Sequence, residues 1–257
     1  MHMLPCRGRR PERAMSDIPT RDPGAPYAIT RESLLDGRHL ARARGRAHPD
    51  YPLRSDEELE ASLDSMLSRH PPGTEGWVFG YGSLIWNPAF RFVERRPAVL
   101  RGYHRRFCLR LTRGRGSDEH PGLMLALDRA GMCRGVAFRI AAEELRHELL
   151  LIWRREMLFG SYQARWVEIA TEAGSLRAIA FVVDRSHPRY VGSLPVSDVA
   201  ERIRSGRGEL GTNRAYFDET VAALSELGIR DAALERLRRL IEGGPAELSR
   251  PRRSELQ

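Results

Sequence analysis

The apolar residues change their spacing in the middle of the chain, and that change narrows the possible folds sharply. Ser55-Asp56-Glu57-Glu58 is a capping box, and Leu59, Leu63, Met66 and Leu67 follow at helical spacing until Pro71-Pro72-Gly73 stops the helix. From there the pattern is β. Residues 77–81 form a short apolar run, and Phe107, Leu109 and Leu111 alternate with Arg106, Cys108 and Arg110. Residues 123–127 and 135–140 predict two more strands around a turn at Arg129-Ala130-Gly131. A helix over 142–157 interrupts the strands, which resume over 164–170 and 176–183. The C-terminal third is predicted helical, over 197–204, 213–227 and 231–242, ending at Gly243-Gly244. Strands that mostly follow one another argue for an α+β fold over a parallel βαβ array.

Around this core the chain divides into four parts. Residues 1–29 are rich in Pro, Arg and Asp, lack an apolar period, and are expected to be a disordered, dispensable tail, with Met15 an alternative start. Residues 30–75 are a helical extension with a short helix about Leu34 and Leu35. Residues 76–244 are the central domain and 245–257 a polar tail. No run of about 18 apolar residues suggests a membrane helix, and Met1 to Arg13 lack the apolar segment of a signal peptide. Three cysteines without repeated spacing signal neither a disulfide framework nor a zinc site. A cytoplasmic monomer is expected.

The net charge of +8 admits an acidic partner such as nucleic acid. However, all 42 basic residues are Arg, with no Lys anywhere, which reads as genome-wide codon bias and not as one binding face. The stretches at 105–106 and 236–239 are expected to be solvated, since no aromatics interleave them. The absence of Lys also excludes a phosphate-loop lysine, a Schiff base and a lysine general base.

Two constellations could carry chemistry. Gly80-Tyr81-Gly82-Ser83-Leu84 follows a predicted strand. It is either a structural turn or a cradle whose backbone N–H groups and Ser83 hydroxyl hold a carboxylate. Neither a dinucleotide fingerprint nor a nucleophile elbow fits, because Ile85 stands where each needs Gly. The other is Glu156. At about 100° per residue, Leu145, Leu149 and Ile152 share a helical stripe, and Glu156 falls within about 20° of Leu145. A carboxylate there is either paired with an arginine or raised in pKa and used for proton transfer. His104 and Cys108 lack a third metal ligand nearby, and Cys133 lacks a histidine partner pattern.

The run from Trp77 to Phe90, WVFGYGSLIWNPAF, resembles the opening motif of the ChaC family of γ-glutamylcyclotransferases. The similarity continues in order through residues 105–110, 122–127 and 134–139, then Trp153-Arg-Arg-Glu-Met157 with Tyr162, then His187-Pro188-Arg189-Tyr190 and Gly211-Thr212-Asn213. It spans about Ser55 to Ile241. The resemblance implies a small mixed or antiparallel β-barrel with flanking helices, no metal and no cofactor. It implies cleavage of glutathione to 5-oxoproline and Cys-Gly, with another γ-glutamyl amine or peptide as the alternative substrate. By the same resemblance Glu156 is the acid/base. Val78, Phe79, Gly80, Tyr81, Gly82, Ser83, Leu84 and Tyr162 bind substrate. One departure is Gly160-Ser161, where some family members have two glycines before the tyrosine.

Overall fold

The computed structural model describes residues 27–45 and 52–243. The expected tails over 1–26 and 245–257 lie outside the described residues. Five strands, β1 (Gly76–Gly80), β2 (Glu94–Leu111), β3 (Gly122–Ile140), β4 (Tyr162–Thr171) and β5 (Gly174–Val183), close a barrel in the order β1-β3-β2-β4-β5. Its ladders are antiparallel, that of β4 with β5 included, except where β5 meets β1 and β3 in parallel. The α+β class and mixed barrel are therefore as expected.

The two strands expected over 123–127 and 135–140 are one. β3 runs unbroken through residues 129–131, where Ala130 and Gly131 take φ of 92° and 74°. Opposite them Gly102 has φ 83°, and the register shifts between Arg101 and Tyr103. Left-handed residues serve a bulge as well as a turn, and here they bend a long hairpin so that it can wrap the barrel.

Among the described residues, eight α-helices surround the barrel: α1 (Arg31–Leu35), α2 (Arg38–Arg44), α3 (Asp56–Leu67), α4 (Ser83–Trp86), α5 (Leu145–Glu156), α6 (Val196–Ser205), α7 (Asn213–Glu226) and α8 (Ala232–Glu242). The Ser55 capping box forms, with Glu58 N donating to Ser55 Oγ at 3.2 Å and Ser55 N to Glu58 Oε2 at 2.7 Å. The stretch after Leu35, unassigned from sequence, is α2. None of these helices is long and apolar enough to cross a membrane.

Period-2 alternation divides the strand side chains between two cores. Phe79, Leu100, Leu127, Ala137, Ile169 and Ala180 come from all five strands and fill the interior. Val78, Leu109, Phe138, Ile179 and Phe181 face outward, under helices that contribute Leu63, Leu149, Trp153 and Phe217. Trp153 packs edge-on to Phe181, centroids 5.4 Å apart, and donates to Ser62 Oγ at 3.0 Å, joining α5 to the barrel and to α3.

Arg105 and Arg106 are not solvated as expected. Arg105 is only 5% exposed and pairs with Asp231, the N-cap of α8, at 3.4 Å. Arg106 pairs at 3.3 Å with Asp128 on β3, a fully buried carboxylate. Arg185 (2.6 Å), the Tyr190 hydroxyl (2.9 Å) and Arg129 N (2.8 Å) also donate to Asp128. Burial opposes its charge, but these donors hold its carboxyl below the usual range. The alternation that buries Phe107 extends one step back to Arg105, so the apolar face of β2 carries a charge that a distant aspartate neutralises.

Candidate active site

Helix α5 carries two buried carboxylates with opposite surroundings. Glu148 is fully enclosed and saturated: Arg31 grips it with both terminal nitrogens, Nη2 to Oε1 at 2.6 Å, and Arg91 N donates to Oε2 at 2.7 Å. Glu156, two turns on, ends the helix with 13% of its side chain exposed into a cavity. Among the described residues its one ionic neighbour is Arg155, Nε to Oε1 at 3.2 Å. Arg155 also donates to the Asn87 carbonyl and is itself buried. Burial pushes the Glu156 carboxyl above its ordinary value, and Arg155 only partly offsets this. Both readings of Glu156 thus meet in one residue. It is paired with an arginine, and it is exposed to a pocket with a raised pKa.

Three phenols surround it. Tyr81 donates to the Phe181 carbonyl at 3.0 Å and Tyr162 to the Leu125 carbonyl at 2.9 Å. Burial, with the Glu156 charge contributing, pushes these two and Tyr216 upward, so all three remain protonated donors. Tyr216 was not singled out from sequence. Its pointer is Gly211-Thr212-Asn213, three residues before it. Asn213 is buried, its side chain exchanging two hydrogen bonds with the Leu123 backbone at 2.8 and 2.7 Å as a neighbouring strand would. Thr212 caps α7 by accepting from Ala215 N at 3.0 Å. Together they fix the first turn of α7, and Tyr216 with it.

The glycine loop is only partly pocket. Tyr81, Gly82, Ser83 and Leu84 line a narrow inner crevice of about 20 Å³ with Glu156, Tyr162 and Tyr216. Val78, Phe79 and Gly80 do not: they are strand, with Val78 in the outer core and Phe79 in the inner one. Gly80 is there for packing, since a Cβ would stand 2.8 Å from the Phe138 ring. The crevice opens into a chamber of about 190 Å³, and Ser83, Met124, Glu156, Tyr162 and Tyr216 belong to both. Glu156 therefore sits at the junction of the two spaces.

The Gly160-Ser161 departure has a simple resolution. Gly160 takes the left-handed conformation, φ 67°, whereas Ser161 is not among the residues of positive φ. Only the first of the two positions requires glycine. Tyr27, Ala28 and Ile29, placed by sequence in the disordered tail, instead line the chamber, and Asn87 Nδ2 donates to the Ile29 carbonyl at 2.9 Å. His39, also lining it, is held down to about 4 by burial and by Arg155, and is a neutral imidazole at neutral pH. Cys108 and Cys133 are buried, with the Cys108 thiol pushed up by burial to about 12 and that of Cys133 also raised, so neither is a thiolate. Among the described residues no three His, Cys, Asp or Glu side chains converge as a metal site would require.

Residues 76–243 match the ChaC family, described as ChaC-like protein. The glutathione-specific gamma-glutamylcyclotransferase of Escherichia coli is 42% identical over 186 residues, 72% of this chain and 80% of that protein. Gamma-glutamylcyclotransferase 2-3 of Arabidopsis thaliana is 36% identical over 166 residues, 60% of this chain and 82% of that one. A crystal structure of a yeast gamma-glutamyl cyclotransferase specific to glutathione superposes with a TM-score of 0.62 at 22% identity, covering 66% of this chain and 96% of that one. At that identity the likeness speaks to the fold alone. The barrel, the loop that turns into the crevice, the glutamate at its mouth and the match over most of the described chain lead to one conclusion: the chain belongs to the ChaC family.

Proposed function

We propose that this chain is a glutathione-specific γ-glutamylcyclotransferase, releasing 5-oxoproline and Cys-Gly. The observation that carries the reading is Glu156, a carboxylate of raised pKa at the junction of a narrow crevice and a larger chamber. The γ-glutamyl head lies at the junction with its α-carboxylate directed into the crevice, Cys-Gly occupies the chamber, and the scissile γ-amide lies beside Glu156.

The chemistry is intramolecular. The substrate's α-amine attacks its own γ-carbonyl, a new C–N bond closes the five-membered ring, and the old amide C–N bond breaks. Water is not consumed and no enzyme nucleophile is needed, so the protein's task is to fold the substrate and move protons. Glu156 takes a proton from the α-ammonium and delivers one to the departing amine of Cys-Gly. Its raised pKa brings it closer to neutrality, where a carboxylate serves better both as base and as acid. Tyr81 to Leu84 hold the α-carboxylate, with the Ser83 hydroxyl and backbone N–H groups as donors. Tyr162 and Tyr216, kept protonated, line the space where charge develops on the γ-oxygen.

Incubation with glutathione in isotope-labelled water tests this. The expected result is 5-oxoproline and Cys-Gly in equal amounts, with no label in the 5-oxoproline, and slower turnover of γ-glutamyl-alanine. Labelled free glutamate would show hydrolysis by water and overturn the cyclisation.

A further inference from the structure

Residues 27–45 precede the family match at 76–243, yet they build part of the pocket. Three contacts fasten this segment to the elements that carry the site. Asn87 holds the Ile29 carbonyl, Arg154 Nη1 donates to the Leu34 carbonyl at 3.1 Å, and Arg31 is clamped to Glu148 on α5. The segment is therefore held in register with the helix that ends in Glu156.

Five arginines line the chamber: Arg42, Arg113, Arg115, Arg155 and Arg189. Four are engaged. Arg113 pairs with Asp118 and Arg115 with Glu219, both at 2.9 Å; Arg155 pairs with Glu156 at 3.2 Å; Arg189 donates to the Arg110 carbonyl at 2.9 Å. Arg42 differs. Among the described residues it has no carboxylate partner, and its buried Nε has no acceptor. Its guanidinium lies over the Tyr27 ring, 4.6 Å from the centroid, an arrangement that orients the cation without consuming its donors.

A buried donor without an acceptor, on an oriented guanidinium in a ligand chamber, is suited to a carboxylate that arrives with the ligand. Glutathione has two carboxylates, one on its γ-glutamyl head and one at the far end of Cys-Gly. With the α-carboxylate of the head directed into the crevice, the second lies in the chamber. We propose that Arg42, seated on Tyr27, binds the distal carboxylate of the substrate, so that the N-terminal segment contributes to selectivity for γ-glutamyl peptides ending in a free carboxylate. This rests on the glutathione reading above.

The test compares glutathione with its glycine monoethyl ester, which lacks the distal charge, on the full-length wild type and on Arg42→Gln and Arg42→Lys. For the wild type, esterification should raise KM about tenfold or more, the loss expected for one charge-assisted hydrogen bond. Arg42→Gln should raise KM for glutathione by a similar factor, with kcat and the melting temperature little changed, and should no longer distinguish the ester. Arg42→Lys, which keeps the charge and loses the planar fork, should recover part of the affinity. Equal KM for glutathione in wild type and Arg42→Gln, or undiminished discrimination against the ester by Arg42→Gln, would overturn the assignment. Absence of 5-oxoproline from the wild type with either substrate would instead overturn the glutathione reading, and this one with it.

Discussion

At the scale of single residues, α5 shows how one helix supports two fates for a buried carboxylate. Glu148 is surrounded by donors and has no exposed surface, so its charge is structural. Glu156 has one ionic partner and a pocket, so its charge is available to a substrate. Burial shifts the Glu156 carboxyl upward from its ordinary value of 4.5. As the proposed base, Glu156 must be ionised to accept a proton, so the account expects activity above the shifted value and its loss as pH falls through it. The stability contribution has the opposite sense: it is full below 4.5 and is lost as pH rises through the shifted value. A profile of kcat/KM for glutathione against pH should therefore show an acid limb with its midpoint above 4.5. A midpoint at or below that value would mean that another group carries the proton. Glu156 was legible in the sequence because it continues the stripe of Leu145, Leu149 and Ile152. Arg155 was not, because a helical wheel says nothing about a neighbour whose side chain folds back to the Asn87 carbonyl.

At the scale of elements, the Arg31–Glu148 clamp is the main tie between the N-terminal segment and the barrel. Arg31 is 19% exposed and Glu148 fully buried, so removing the cation leaves a carboxylate with, among the described residues, only the Arg91 N–H. Arg31→Met should lower stability by about 3–5 kcal/mol, the range for breaking one side of a buried pair, and Arg31→Met with Glu148→Leu should recover much of it. Denaturant unfolding of the single and double variants checks this. An unchanged midpoint for Arg31→Met would show that the clamp contributes nothing. This pairing could not be read from sequence: the partners are 117 positions apart in a chain with 42 arginines. Elements that depend on local signals were legible, among them the Ser55 capping box, the alternation of β2 and the helices of the last third. The bulge at Ala130-Gly131 was not, because a residue of positive φ marks a turn and a bulge with the same sequence signal. The burial of Arg105 was half-legible: its place in the alternation was visible, but Asp231 as its partner was not.

At the scale of the whole molecule, the candidate site draws on distant parts of the described chain. The loop runs from the end of β1 into α4, the carboxylate comes from α5, one tyrosine from β4 and another from α7, and one wall from residues 27–43. The resemblance was carried by the loop and the α5 terminus, and the structure brings Tyr81 to Leu84 and Glu156 to one crevice. The N-terminal wall lies outside that resemblance, and its first residues, 27–29, fall in the stretch without an apolar period that reads as a dispensable tail. The central claim is that this assembly cyclises glutathione through Glu156. The most direct measurement is 5-oxoproline release from glutathione by wild type and Glu156→Gln, with thermal melting followed on the same samples. Glutamine keeps the size and polarity of the side chain, and Arg155 keeps its Asn87 and Pro88 carbonyls. Turnover should fall by roughly 10²–10⁴, the usual loss on removing a general base, while KM and melting change little. A Glu156→Gln protein that melts early yet releases 5-oxoproline at the wild-type rate would contradict the account, leaving Glu156 as no more than the partner of Arg155.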